Sequence, residues 1–149
     1  MRLRVLRIVT LLVCIALLLI AALHIYWAFG GHNMVNEAIP TYKGRRLLHP
    51  SPLGTFIVAL LIIAAGVVIG IQGRVIPIPL FKRVSFWGSC LIAAIFLMRS
   101  IGDFRYVGLF KTFQRSVFAQ RDTNIYTPLC LLLTVMITFI AVIGESKTR

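Results

Sequence analysis

Four ionisable side chains fall where an apolar environment makes them costly. His24 lies near the end of a long apolar run, Arg99 lies in the last turn of another, and Asp103 and Asp122 bracket the segment that follows. Such groups persist in hydrocarbon when they are paired, hydrogen-bonded or functional. A histidine there can act as a general base, a proton relay or a ligand-binding group. An arginine can hold a carboxylate or a phosphate through its planar fork. Trp27 stands one turn beyond His24, at the depth of an aromatic belt.

Arg99 and Asp103 are four residues apart, so a continuous helix would put them on one face. Gly102 interrupts that geometry, and Asp122 is the other anion that could reach Arg99. Two readings follow. In one, a salt bridge ties the third apolar run to the segment after it. In the other, Arg99 and Arg105 hold an anionic headgroup or a carboxylate, with Trp27 and Tyr126 stacking beside it and His24 hydrogen-bonding.

Other chemistries find little support. Bis-histidine haem needs facing histidines from two spans, but His32 and His49 fall in a loop. Zinc would need His24, His32, His49 and a carboxylate to converge without any HxxxH or CxxC spacing. No Ser-His-Asp order, glycine-rich phosphate loop or paired catalytic carboxylates are present. Cys14, Cys90 and Cys130 lie in separate apolar runs, where they read as small packing residues. No catalytic residue, metal or cofactor is therefore assigned.

The elements that must position these groups follow from composition. Of 149 residues, 59% are hydrophobic and 13% charged, against about 45–50% and about 25% in soluble proteins. A soluble domain this small cannot bury so much apolar surface. The formal charge of +12, from 16 Lys and Arg against 4 Asp and Glu, would suggest nucleic acid in a soluble protein. Here the cations flank apolar runs, which suits anionic lipid headgroups and argues against nucleic-acid binding.

Four runs approach the roughly 20 residues that a membrane helix needs: about 8–29, 54–71, 84–102 and 128–144. They define one transmembrane domain over 1–149. Arg2, Arg4 and Arg7 resemble the basic region of a signal peptide, but no small-x-small cleavage site follows, so the first run reads as an uncleaved span. The density of Arg and Lys on 1–7, 72–83 and 145–149 favours these segments, and both termini, in the cytoplasm of a cell-membrane protein.

The loops have signals of their own. Ser51–Pro52 reads as an N-cap and first-turn proline opening the second helix, and Thr127–Pro128 as the same for the fourth. Pro77 and Pro79 suggest a tight extended connection. Tyr106, Leu109, Phe110, Phe113 and Val117 share a helical face, with Lys111, Gln114 and Arg115 off it, so a short interfacial amphipathic helix is expected between the third and fourth spans. Small residues should face the bundle interior: Ala59, Gly66 and Gly70; Ser85, Ser89 and Ala93; Cys130, Thr134 and Thr138. Gly66 and Gly70 form a GxxxG that suits either a homo-oligomer or a contact within one chain.

Three motifs in this order are familiar: HIYWAFGG at 24–31, RSIGDFRYVG at 99–108, and Asp122-Thr123 followed by Tyr126-Thr127-Pro128-Leu129-Cys130. Together they resemble the bacterial four-helix membrane family known as domain of unknown function 3995. The resemblance implies four spans and brings no catalytic role with it. It draws attention to His24, Trp27, Arg99, Asp103 and Asp122, which burial cost had already selected.

The sequence thus predicts an all-α, four-span bundle. A polar pocket near the outer interface is expected, built by His24, Trp27, Arg99, Asp103, Arg105, Asp122 and Tyr126. Its leading use is binding a small amphiphile or lipid headgroup. A membrane enzyme with His24 as base and Arg99 as electrostatic stabiliser is the alternative. A third reading makes these residues fasteners in a structural or accessory subunit.

Overall fold

In hydrocarbon every backbone N–H and C=O must find a partner within the chain, which leaves long apolar runs little choice but the α-helix. The computed structural model describes residues 1–42, 45–78 and 82–146. The elements are α1 (Arg2–Ala28), α2 (Val35–Ala38), β1 (Thr41–Tyr42), β2 (Arg45–Arg46), α3 (Pro52–Gln72), α4 (Lys82–Ile101), α5 (Val117–Arg121), a π-helical turn (Asp122–Tyr126) and α6 (Thr127–Ser146). Among the described residues, four helical segments are long and apolar enough to cross a membrane: Arg2–Ala28, Pro52–Gln72, Arg83–Ile101 and Val117–Glu145.

The long helices pack in a ring, α1 on α3, α3 on α4, α4 on α6 and α6 back on α1. Leu6, Val13 and Leu17 of α1 meet Ile69 of α3, Ala93 of α4 and Leu133, Ile137 and Ile140 of α6 in one core. The outward faces are apolar too: Leu12, Ile15, Leu18 and Leu19 of α1, Leu61 of α3, Leu91 of α4 and Val135 of α6 are all exposed. Such a perimeter suits acyl chains rather than water. The chain is a multi-pass membrane protein.

One end of the bundle carries the start of α1 and the end of α6. There Gln72 is buried and ties three helices together. Its Nε2 donates to the Ala141 carbonyl at 3.0 Å, and its Oε1 accepts from the Ser85 hydroxyl at 2.9 Å. Arg74 donates to the Gly144 carbonyl at 3.3 Å, close to the C-terminal end of α6. Gly73 lets α1 and α3 cross closely, because a Cβ there would overlap the Thr10 side chain. The opposite end, where α1 ends and α3 begins, holds α2, the two-residue ladder pairing Thr41 with Arg46 and Tyr42 with Arg45, and α5.

Several expectations hold. Ser51 caps α3, its Oγ accepting from the Gly54 N–H at 3.1 Å, with Pro52 in the first helical position. Ser85, Ser89 and Ala93 are buried. The GxxxG faces α1: Cys14 donates to the Gly66 carbonyl at 3.5 Å, and a Cβ on Gly70 would approach Cys14 and Ile76. Pro77 is the central residue of a tight turn in which the Ile78 N–H donates to the Ile76 carbonyl, while Pro79 lies outside the described residues.

Others need correction. Thr127 is not the N-cap of the fourth helix: α6 begins at Thr127–Pro128, but Thr127 is itself in helical conformation and continues a helical run that starts earlier. Helical structure starts at Val117, capped by the Ser116 hydroxyl, and passes through a π-helical turn before Pro128. Proline lacks an N–H and crowds the preceding turn, and a widened turn accommodates both defects. Of the stripe Cys130, Thr134 and Thr138, the first two are half-buried and Thr138 is exposed, while Leu133, Ile137, Ile140 and Ala141 form the fully buried face. The Thr134 and Thr138 hydroxyls donate to carbonyls one turn back, so neither needs an interior partner. The interfacial amphipathic helix is also not formed. Residues 103–116 are irregular, for reasons given below.

The Gly73 contact can be tested by thermal unfolding in detergent. Gly73→Ala should lose about 1–3 kcal/mol through overpacking. Gly66→Ala, whose new Cβ meets nothing within 4 Å, should stay within about 0.5 kcal/mol of the parent. Equal midpoints for the two variants would mean that α1 and α3 do not cross at Gly73.

Candidate functional site

The polar groups at the α2 end fall into two separate sets. The first centres on Asp122, whose carboxylate is fully buried at the start of the π-helical turn. Its Oδ1 accepts from Arg99 Nη2 at 2.8 Å. Its Oδ2 accepts from Lys111 Nζ at 3.0 Å and from the Gly108 N–H at 2.8 Å. The Lys111 side chain is only 4% exposed and also donates to the Gly108 carbonyl at 3.0 Å. Arg99 is 34% exposed. One carboxylate therefore joins the end of α4, the loop after it and the start of the fourth membrane-spanning segment. Two cations on one anion leave a single positive charge in excess. Arg99 Nη1 and Thr127 Oγ1 are buried there without hydrogen-bond partners.

Asp103 does different work. α4 stops at Ile101, and Gly102 turns the chain in the left-handed region at φ +83°. Asp103 then pairs with backbone, while Arg99 pairs with Asp122. Asp103 Oδ1 accepts from the backbone N–H groups of Arg105, Tyr106 and Val107 at 3.0, 2.7 and 2.8 Å. Gly108, at φ +89°, closes the loop against Ile101 and Gly102, where a Cβ on either glycine would collide with backbone. Leu109 N–H reaches back to the Ser100 carbonyl at 2.8 Å. These contacts consume the N–H groups that a helix would use, which explains why none forms here. Burial is the largest single influence on Asp103 and favours its neutral form, but the N–H donors together outweigh it and hold its carboxyl below the usual carboxylate range. The loop keeps an apolar surface without a helix: exposed Phe104 and Phe110 stack at 6.0 Å, and the Arg105 guanidinium sits 5.3 Å over the Tyr106 ring.

The second set surrounds a cavity of about 590 Å³ between the ends of α1 and α3, α2 and the loop after it. His24 and Trp27 line it from α1, His32 from the turn after α1, Arg46 from β2 and His49 from the approach to α3. Val35, Ala38, Ile39, Leu48 and Val58 add apolar surface. His24 Nδ1 donates to the Ile20 carbonyl at 2.8 Å. That bond fixes the neutral tautomer and leaves Nε2 as the acceptor nitrogen. The Trp27 ring lies 5.3 Å from the His24 ring, and its Nε1 donates to the Asn33 carbonyl at 2.8 Å. Among the described residues, no three His, Cys, Asp or Glu side chains are grouped so that they could hold a metal ion.

The structure thus divides the predicted pocket. His24 and Trp27 line the cavity; Arg99, Asp103, Arg105, Asp122 and Tyr126 do not. Arg99 has chosen Asp122 over Asp103, and Tyr126 packs its ring 6.3 Å from Phe118. The reason for the division is electrostatic. A buried Asp122 needs the nearest cations, which removes Arg99 from any role at His24. Sequence reasoning missed Lys111, which it set on a polar helix face. It also missed Arg46 as a cavity residue, and Glu37, whose carboxylate accepts from Arg121 at 2.9 Å and joins α2 to α5. A usable signal was the scarcity of acid: with four carboxylates among sixteen cations, any buried acid attracts every cation in reach.

Asp122→Asn should cost about 3–5 kcal/mol in thermal unfolding, because two cations lose their anion. Near-parental stability would mean that Arg99 and Lys111 do not depend on it. The depressed Asp103 carboxyl contributes stability that is fully present above its unfolded pKa of about 3.9 and is lost as pH falls through the folded value. Protection of the Arg105, Tyr106 and Val107 amides, measured against their intrinsic exchange rates, should therefore fall on acidification below about pH 4, and Asp103→Asn should abolish that acid step. An acid step that survives the substitution would assign it to another group.

No curated protein and no solved structure matches the chain. One family model matches residues 17–137, which include His24, the whole RSIGDFRYVG loop and Asp122. The chain belongs to the family described as protein of unknown function (DUF3995).

Proposed function

We propose that this multi-pass protein binds a small amphiphile, with the head in the cavity between α1, α2 and α3. The observation that carries this reading is the cavity itself. Its volume of about 590 Å³ is within the range of small-molecule sites. Its lining combines an aromatic ring and aliphatic side chains with a few polar groups, the composition such sites use. Val58 lines the cavity and is also exposed on α3, so the floor continues toward the apolar perimeter, where a tail would lie.

The density of cations near the termini supports an orientation with both termini in the cytoplasm, which sets the cavity at the outer interface. Membrane lipids are then the nearest source of ligand. The enzymatic alternative is weaker, because Arg99, its proposed stabiliser, is occupied by Asp122. The fastening role suits Arg99 and Asp122 and leaves His24 free of it.

Native mass spectrometry of protein extracted in mild detergent tests the proposal. The parent should carry a co-purified amphiphile. Ala38→Phe, which fills the cavity from α2, should lose it with little change in unfolding midpoint. Equal retention in the two proteins, or none in the parent, would count against the cavity as its site.

A further inference from the structure

The chain has three histidines, and all three line one cavity. They come from separate segments: His24 from α1, His32 from the following turn and His49 from the approach to α3. Arg46 joins them from β2. None of the four acidic residues lines it. Glu37, on the adjoining α2, is held by Arg121; Asp103 is held by backbone N–H groups; Asp122 is held by Arg99 and Lys111. Glu145 lines a different cavity, at the end of the bundle carrying the termini. From α3 no charged or titratable group lines the cavity, and Lys43 lies outside the described residues. Among the described residues, every titratable side chain on the cavity wall is thus a base.

We infer that the cavity selects an anionic head group and that binding is coupled to proton uptake by these histidines. The inference rests on the amphiphile-binding reading above. Imidazoles gain charge between about pH 8 and pH 5, and with no lining carboxylate to neutralise them the cavity grows more positive as pH falls. A bound anion favours the protonated histidines, so by linkage protons favour the bound anion. The same features account for three histidines without metal geometry: they form a charge-tunable wall rather than a coordination shell.

The test uses three probes whose heads do not titrate near neutral pH: decanesulfonate, decyl maltoside and inorganic sulfate. The protein is held in phosphatidylcholine nanodiscs. The chain has two tryptophans, so a Trp87→Phe background leaves Trp27 as the reporter of binding. Decanesulfonate should bind about tenfold tighter at about pH 5.5 than at about pH 7.5, the effect of one unit of pKa coupling. Decyl maltoside should show weaker binding and no pH dependence. His32→Gln/His49→Gln, which alters two exposed side chains, should remove most of the pH dependence, and adding His24→Gln should remove the rest. The double variant keeps the test decisive if the triple variant fails to fold.

Equal, pH-independent binding of decanesulfonate and decyl maltoside would overturn the anion selectivity and leave amphiphile binding standing. Sulfate binding as tightly as decanesulfonate, with the same pH response, would support the anion site and overturn the amphiphile reading. No binding of any probe would overturn both.

Discussion

Hydrocarbon gives apolar helices little preference for one another over lipid, so buried polar contacts carry much of the specificity in this bundle. The carboxylate of Asp122 is the most consequential. It is fully buried and accepts from Arg99, Lys111 and the Gly108 N–H at once. Removing two cations from water is costly, and the shared anion is what makes their burial tolerable. Much of the α2 end follows from that contact. The loop after α4 is folded back so that Gly108 and Lys111 reach Asp122. The π-helical turn sets the position of Asp122 beneath them. Gln72 is a neutral counterpart at the opposite end, where one amide connects α3, α4 and α6.

The two polar sets are distinct but mechanically joined. α2 forms part of the cavity wall through Val35 and Ala38, and its Glu37 pairs with Arg121 of α5. α5 leads directly into the turn that holds Asp122. A ligand that shifts α2 would therefore pull on the element that presents the buried carboxylate. The division of labour is physical: Asp122 and its partners hold the end of the bundle, and the histidines line a cavity to which none of the four carboxylates contributes.

The spans were legible because long apolar runs in lipid allow one backbone solution, and Ser51–Pro52 opened α3 as its chemistry dictates. The serines of α4 were legible for a related reason: small polar side chains pack best between helices. Cys130 and Thr134 share that spacing and are half-buried, whereas Thr138 is exposed, because a hydroxyl satisfied by its own helix bears little cost at the surface. The 103–116 segment misled for a sharper reason. Its apolar periodicity is real, but Gly102, Gly108 and Asp103 divert the backbone into a closed loop, and periodicity does not register where N–H groups go. Lys111 could not be placed without knowing that the loop folds back. For the candidate site, cost in hydrocarbon selected His24, Arg99 and Asp122 correctly as residues needing partners. It could not tell which partner each would take, since that depends on distances between segments far apart in the chain.

The claim that one carboxylate fastens this end of the bundle is tested most directly by comparing Asp122→Leu with the triple variant Arg99→Met/Lys111→Met/Asp122→Leu in thermal unfolding. If Asp122 exists to neutralise the two cations, Asp122→Leu will be severely destabilised, and the triple variant, with nothing left to neutralise, will unfold at a higher temperature than the single one. A triple variant no more stable than Asp122→Leu would contradict the account.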